Sequence, residues 1–210
     1  MKADYSLYLV TDASLSRGRG SVEVAEAAIR GGVTMLQYRA KGATTRIMVE
    51  EAGSLRKLCR SRGIPFIVND RADVAIAVDA DGLHVGQDDL PAALARRLIG
   101  RRKLLGVSAG SPEEARRAAA EGADYVGASP VFSTPTKPDA SAPLGLSGLR
   151  ALADAVRIPV VAIGGIDAGN AAAVFEAGAT GIAVVSAIVA AVDVEAAARS
   201  LRGIAEAAGK

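Results

Sequence analysis

Along the 210-residue chain, short aliphatic or β-branched runs alternate with longer stretches in which apolar residues recur every three or four positions. The short runs fall at Leu7–Thr11, Thr34–Tyr38, Phe66–Asn69, Gly82–Val85, Leu104–Ser108, Tyr125–Ala128, Val160–Ile163 and Gly181–Val185. They are apolar on both faces, the pattern of strands buried from both sides in a parallel sheet. The alanine-rich periodic stretches Val22–Arg30, Thr45–Arg62, Pro112–Glu121, Leu149–Val156, Asn170–Ala177 and Val194–Ala207 predict helices between them. Glycines close several of these, as in Arg30-Gly31-Gly32 and Ala177-Gly178, where positive φ ends a helix cheaply. Strand–helix alternation suits either an open doubly wound sheet or a closed barrel. Eight units in a chain this short favour the barrel: a single (β/α)8 TIM-barrel domain over residues 1–210. Functional groups then belong on the loops that leave the strand C-termini, and those loops are indeed polar, whereas the helix-to-strand turns hold mostly Gly, Ala and Pro.

Composition narrows the chemistry. The 25 basic and 23 acidic residues nearly cancel, so no long-range field marks nucleic acid or an anionic membrane as a partner. Tyr and Phe number 4 and 3 and Trp is absent, leaving little to stack on bases. The lone Cys59 can form no internal disulfide and has no second Cys for metal spacing, which fits a reducing cytoplasm. Met1 to Tyr5 lead into a strand without the apolar core of an export signal, and apolar runs such as Ile182–Val185 are too short to span a bilayer.

The strand ends supply the candidate groups. Gln37, Arg39 and Lys41 alternate with Tyr38 and Ala40, so an extended chain points the three polar side chains one way, and the two cations suit diphosphate oxygens. A single charged residue there would read as a solvated strand end; three on one face favour function. Asn69-Asp70 and Gln87-Asp88-Asp89 put carboxylates on two adjacent loops. Asp70 with Asp89, or Asp88 in its place, suits Mg2+ completed by water and phosphate; each is equally readable as the cap of a following helix. Ser108 is placed to donate to a substrate and Ser111 to cap the helix at Pro112. Gly164-Gly165 and Val185-Ser186 occupy the seventh and eighth strand ends, where barrels bind phosphate, although a tight turn alone also needs glycine. The segment Ser129–Leu146 holds four of the eight prolines together with Thr134, Thr136 and Lys137; it reads as a lid, or else as a stiff surface excursion. His84, the only histidine, reads as packed and hydrogen-bonded rather than catalytic. Cations and carboxylates without an evident nucleophile point to metal-assisted departure of phosphate or diphosphate.

The ordered set Gln37-Tyr38-Arg39-Ala40-Lys41, Val68-Asn69-Asp70, Gly86-Gln87-Asp88-Asp89, Gly106-Val107-Ser108, Thr134-Pro135-Thr136-Lys137, Gly164-Gly165 and Val185-Ser186 resembles the thiamine phosphate synthase family over nearly the whole chain. The resemblance implies a TIM barrel that joins hydroxymethylpyrimidine diphosphate to thiazole phosphate, releasing diphosphate after a dissociative step. It implies that Gln37, Tyr38, Arg39, Ala40, Lys41, Asn69, Ser108 and Lys137 contact the pyrimidine diphosphate, with Arg39, Lys41 and Lys137 acting on the leaving group. Asp70 and Asp89 would hold one Mg2+ per subunit, and Thr134, Pro135, Thr136, Gly165, Val185 and Ser186 the thiazole phosphate. One position departs from the family: Gly110 stands where many relatives carry His two residues beyond the serine. A related thiazole tautomerase uses that His and lacks the Asp pair, so Gly110, Asp70 and Asp89 favour the synthase. A non-catalytic barrel that merely binds phosphorylated thiazole would leave the Asp pair unexplained.

Overall fold

The computed structural model describes residues 3–134 and 142–210. Its elements are β1 (Leu7–Val10), a single 3-10 turn (Ala13–Leu15), α1 (Ser21–Arg30), β2 (Met35–Tyr38), α2 (Thr45–Arg62), β3 (Phe66–Asn69), α3 (Ala72–Ala77), β4 (Gly82–Val85), α4 (Ala92–Ile99), β5 (Leu104–Ala109), α5 (Pro112–Ala120), β6 (Tyr125–Ala128), α6 (Gly145–Ala155), β7 (Val160–Ile163), α7 (Ala171–Glu176), β8 (Gly181–Val184), α8 (Ser186–Val189) and α9 (Val194–Ala207). All strand pairs are parallel, and β1 closes on β8 through Leu7↔Ile182 and Leu9↔Val184, so the expected barrel forms.

The period of two along each strand sorts side chains into two cores. In β1, Leu7 and Leu9 face the helices while Tyr8 and Val10 face the barrel axis; in β6, Val126 faces out and Tyr125 in. The outer core, between sheet and helices, is built from small and branched residues such as Ala25, Ala28, Ala52, Leu55, Leu149 and Leu201. The inner one is thin and ends in polar groups where the strands stop.

Helix boundaries follow local chemistry. Thr44 accepts from the Ile47 amide at the start of α2, which ends on Gly63 at φ 69°. Ser111 accepts from the Glu114 amide at 3.2 Å with Pro112 in the first turn of α5, the capping expected of it. Asp70, Asp88 and Asp89, by contrast, cap nothing: α3 and α4 are preceded by Arg71 and Pro91, neither making a side-chain cap bond. The capping alternative for these carboxylates is thereby withdrawn. Helices α6 and α8 depart most from expectation. Helix α6 begins at Gly145 rather than Leu149 because the Leu144 and Gly145 amides are anchored on the Pro130 and Val131 carbonyls at 2.8 and 2.9 Å. The four residues of α8 continue the apolar run of β8 and so carry no helical period of their own.

Candidate active site

The strand C-termini open into a cavity of about 280 Å³. From β2, Gln37 turns inward and its amide nitrogen donates to the Tyr8 hydroxyl at 2.9 Å. Arg39 is held by Asp12, Nη1 to Oδ2 at 2.9 Å, with both side chains largely buried; its backbone amide donates to Thr11 Oγ1 at 3.0 Å. This pair fixes the guanidinium at the mouth. Lys41 Nζ reaches Asp70 Oδ2 at 2.8 Å, and its side chain is 64% exposed against 20% for Asp70, leaving the lysine free to swing. Gln37, Arg39 and Lys41 all line the cavity, as their alternation requires. Tyr38 and Ala40 do not: the Tyr38 hydroxyl donates to Glu51 Oε2 on α2 at 2.7 Å, and Ala40 packs on the outer core. Their side chains point away from the cavity on the same period of two.

Asn69, Asp70, Asp88 and Asp89 line the adjoining wall. Asp70 sits at φ 61°, a left-handed conformation that Asp tolerates better than most residues, with its amide on the His84 carbonyl at 2.8 Å. Asp89 Oδ2 accepts from the Gly86 amide at 2.7 Å, which folds the loop after β4 back on itself. Burial, and next the adjacent Asp70 carboxyl, push the Asp89 carboxyl above the usual range. Two carboxyl groups in contact, one of them resisting ionisation, form a site that a cation relieves. No group of three His, Cys, Asp or Glu placed to hold a metal ion occurs among the described residues; the oxygens of the paired carboxylates are donors of the kind that hard cations take.

The opposite wall comes from β7 and β8, half a barrel turn away. Gly164 and Gly165 adopt φ 104° and 64°, and the need for glycine is double, because a Cβ on Gly165 would lie 2.6 Å from the Ser133 carbonyl and one on Gly164 2.7 Å from Pro130 Cβ. The segment after β6 runs beside them, with the Val131 and Phe132 amides on the Ile163 and Gly164 carbonyls at 2.9 and 3.0 Å. Val185 and Ser186 lie at the start of α8 and line the same wall, as does Thr134. Pro135, Thr136 and Lys137 lie outside the described residues.

The floor is built around His84, with Tyr125 and Ser108 at its two ring nitrogens. His84 is buried; its Nδ1 lies 3.1 Å from the Tyr125 hydroxyl and its Nε2 3.0 Å from Ser108 Oγ. A serine beside an imidazole has the look of a nucleophile and its base. Here the second ring nitrogen meets a phenol instead of a carboxylate, and burial pushes the imidazole down to about 4, so it is too weak a base at neutral pH to activate a serine. His84 is therefore packed and hydrogen-bonded, as expected. Its folded-state pKa lies below its unfolded value, so stability falls with pH between 6.5 and about 4 and levels off below. The expected loss is about 3 kcal/mol. Urea unfolding at pH 7, 5.5 and 4 should show this slope, and His84→Gln should lack that part of it.

Asp12, Tyr8, Tyr125 and Gln87 were not foreseen. Gln87 donates to the Ser108 carbonyl at 2.6 Å and accepts from Arg117 at 2.9 Å. A signal existed for the tyrosines, since a buried phenol in an apolar strand requires a partner. Gly110 donates its amide to Glu114 Oε2 at 2.7 Å, and the nearest atom to a Cβ placed there is 3.6 Å away, so a Cβ at this position would meet only ordinary contacts.

A family model described as thiamine monophosphate synthase matches residues 7–188. The thiamine-phosphate synthase of Chloroflexus aurantiacus is 65% identical over 201 residues, covering 96% of this chain and 93% of that protein. That of Moorella thermoacetica is 52% identical over 200 residues, 95% of each. Among solved structures, a thiamine phosphate pyrophosphorylase from Pyrococcus furiosus superposes with a TM-score of 0.91 at 45% identity, covering 98% of both chains. A 3-hexulose-6-phosphate synthase, 22% identical with a TM-score of 0.66 over 95% of this chain and 99% of that one, shares the fold alone.

Proposed function

Because this chain belongs to the thiamine monophosphate synthase family, we propose that the two walls of its barrel mouth hold the two substrates of that reaction, pyrimidine diphosphate on the β2–β5 side and thiazole phosphate on the β7–β8 side. The activity is that of a thiamine-phosphate synthase, a transferase of thiamine biosynthesis acting on small phosphorylated molecules. The observation that carries the division is one cavity with cations and paired carboxylates on one wall and the Gly164–Gly165 turn with Ser186 on the other.

The pyrimidinylmethyl carbon parts from diphosphate and the thiazole nitrogen takes its place, so no covalent bond to protein is required. Arg39, locked by Asp12, presents fixed donors to diphosphate oxygens, and Lys41 can swing from Asp70 to follow charge as it builds. Lys137 belongs to this set by resemblance. Asp70 and Asp89 would hold Mg2+, which when bound supplies positive charge against the departing diphosphate. Asn69 and Ser108 orient the pyrimidine from the wall and floor. Backbone amides at Gly165 and Ser186, together with the Ser186 hydroxyl, suit the thiazole phosphate beside Thr134 and Val185; Pro135 and Thr136 belong to this set by resemblance. Water that would quench the cationic intermediate has to be kept out of this cavity.

No helix among the described residues is long and apolar enough to cross a membrane. The lone Cys59 has no second cysteine to pair with, which supports a reducing, cytoplasmic setting.

The test is to supply the pure protein with both substrates and Mg2+. Thiamine phosphate and diphosphate should appear in equal amounts, and chelation should stop the reaction. Ser186→Ala should raise KM for the thiazole phosphate about tenfold while leaving KM for the pyrimidine diphosphate unchanged; the reverse pattern would exchange the two walls.

A further inference from the structure

In the floor of the cavity, one chain of hydrogen bonds joins five of its lining residues. It runs from Gln37 Nε2 to the Tyr8 hydroxyl at 2.9 Å, from Tyr8 to the Tyr125 hydroxyl at 2.9 Å, from Tyr125 to His84 Nδ1 at 3.1 Å, and from His84 Nε2 to Ser108 Oγ at 3.0 Å. We infer that Tyr8, Tyr125 and His84 are positioning residues that give this chain a single polarity, making the Ser108 hydroxyl a donor and the Gln37 carbonyl an acceptor toward a 4-aminopyrimidine. The inference rests on the reading that the pyrimidine sits on the Gln37–Ser108 side.

The polarity follows from counting hydrogens. With the Gln37 amide nitrogen turned to Tyr8, Tyr8 accepts from it, and a hydroxyl on a side chain only 1% exposed spends its single hydrogen on Tyr125. Tyr125 in turn spends its hydrogen on His84 Nδ1, which leaves the ring proton on Nε2 and makes Ser108 Oγ its acceptor. The hydroxyl hydrogen of Ser108 is then left for the cavity. At the other end, no buried side-chain oxygen or nitrogen among the described residues lacks a partner. The Gln37 carbonyl makes no side-chain bond to protein there, so it faces the cavity that Gln37 lines. A carbonyl dipole directed at a mouth that carries Arg39 and Lys41 is also the favourable way round for the amide.

Reversing one member alone would set two hydrogens or two lone pairs against each other in a buried floor, so the chain keeps its sense or reverses as a whole. The two ends are thereby correlated across three intervening side chains. A 4-aminopyrimidine offers an N–H beside a ring nitrogen lone pair, which complements an acceptor and a donor. The 4-oxo ring offers the inverse pattern and would meet like against like at both ends.

His84 is the only histidine, so the free protein labelled with 15N-histidine gives one imidazole spin system. The expected state is a proton on Nε2 and none on Nδ1; a proton on Nδ1 overturns the inference at its root. The second measurement compares inhibition by pyrimidinylmethyl diphosphonates carrying 4-amino or 4-oxo groups. Wild type should favour the amino form by about a hundredfold. Tyr125→Phe, which removes only the central hydroxyl, should shrink that ratio at least about tenfold, with KM for the thiazole phosphate unchanged and the imidazole populating both tautomers. Tyr8→Phe repeats the test should Tyr125→Phe fold poorly. An unchanged ratio in these variants, with the tautomer as expected, overturns the recognition role. If Ser108→Ala also leaves the ratio intact, the seat assigned to the pyrimidine is at fault rather than the chain's polarity.

Discussion

Asp89→Asn should lower kcat/KM for the pyrimidine diphosphate by about a hundred- to a thousandfold, and Asp70→Asn by a similar factor. At about 1.4 kcal/mol per tenfold, this is about 3 to 4 kcal/mol of lost transition-state stabilisation. Asparagine is the informative replacement at both sites. At position 89 it keeps an oxygen for the Gly86 amide, and at position 70 it tolerates the left-handed backbone. Each variant therefore removes charge while leaving its loop in place. Thermal unfolding should stay within a few degrees of wild type, and titration with Mn2+ followed by electron paramagnetic resonance should show weakened binding in both. Full activity with undiminished Mn2+ binding would remove these two carboxylates from the metal site. Because Lys41 shares Asp70, Asp70→Asn frees a cation as well as weakening a ligand. Its deficit should therefore be the more sensitive of the two to added Mg2+.

The second large effect is expected at a residue with no functional group. Gly106→Ala should destabilise the fold by about 3 kcal/mol, measured by denaturant unfolding. A Cβ there would lie 2.2 Å from Tyr125 Cζ and 2.4 Å from His84 Nδ1, both on buried side chains that have nowhere to go. The strand pairs on both sides, with β4 through His84↔Gly106 and with β6 through Gly106↔Tyr125, so it cannot shift alone. The damage lands on the Tyr125–His84 hydrogen bond, and the surviving folded protein should lose pyrimidine affinity while keeping thiazole phosphate affinity. Unaltered stability would mean that the inner core yields more readily than its packing indicates.

How much of this could be read from the residues depends on which interaction set each feature. The strands were legible because burial on both faces leaves an uninterrupted apolar run, as in Val160–Ile163. The outward turn of Tyr38 follows from the same period that brings Gln37 inward, yet a contiguous motif hides that alternation. Arg39 was visible, but Asp12 was not: it approaches from another strand end 27 residues away, and nothing local marks the pairing. Tyr8 and Tyr125, 117 residues apart, meet only once the barrel closes. Each alone is an ordinary core aromatic. Short elements were least visible, since the four residues of α8 are too few to show a helical repeat.

The hydrogen bonds that carry Val131 and Phe132 along Ile163 and Gly164 tie residues 131–132 after β6 to the end of β7, so that the two move as one. For anyone exchanging loops between relatives to alter thiazole preference, residues 130–133 and 164–165 form one transferable cassette. Moved together, they carry their own packing. Moved singly, they meet a glycine or a backbone that no longer matches, and the change in preference would be masked by misfolding.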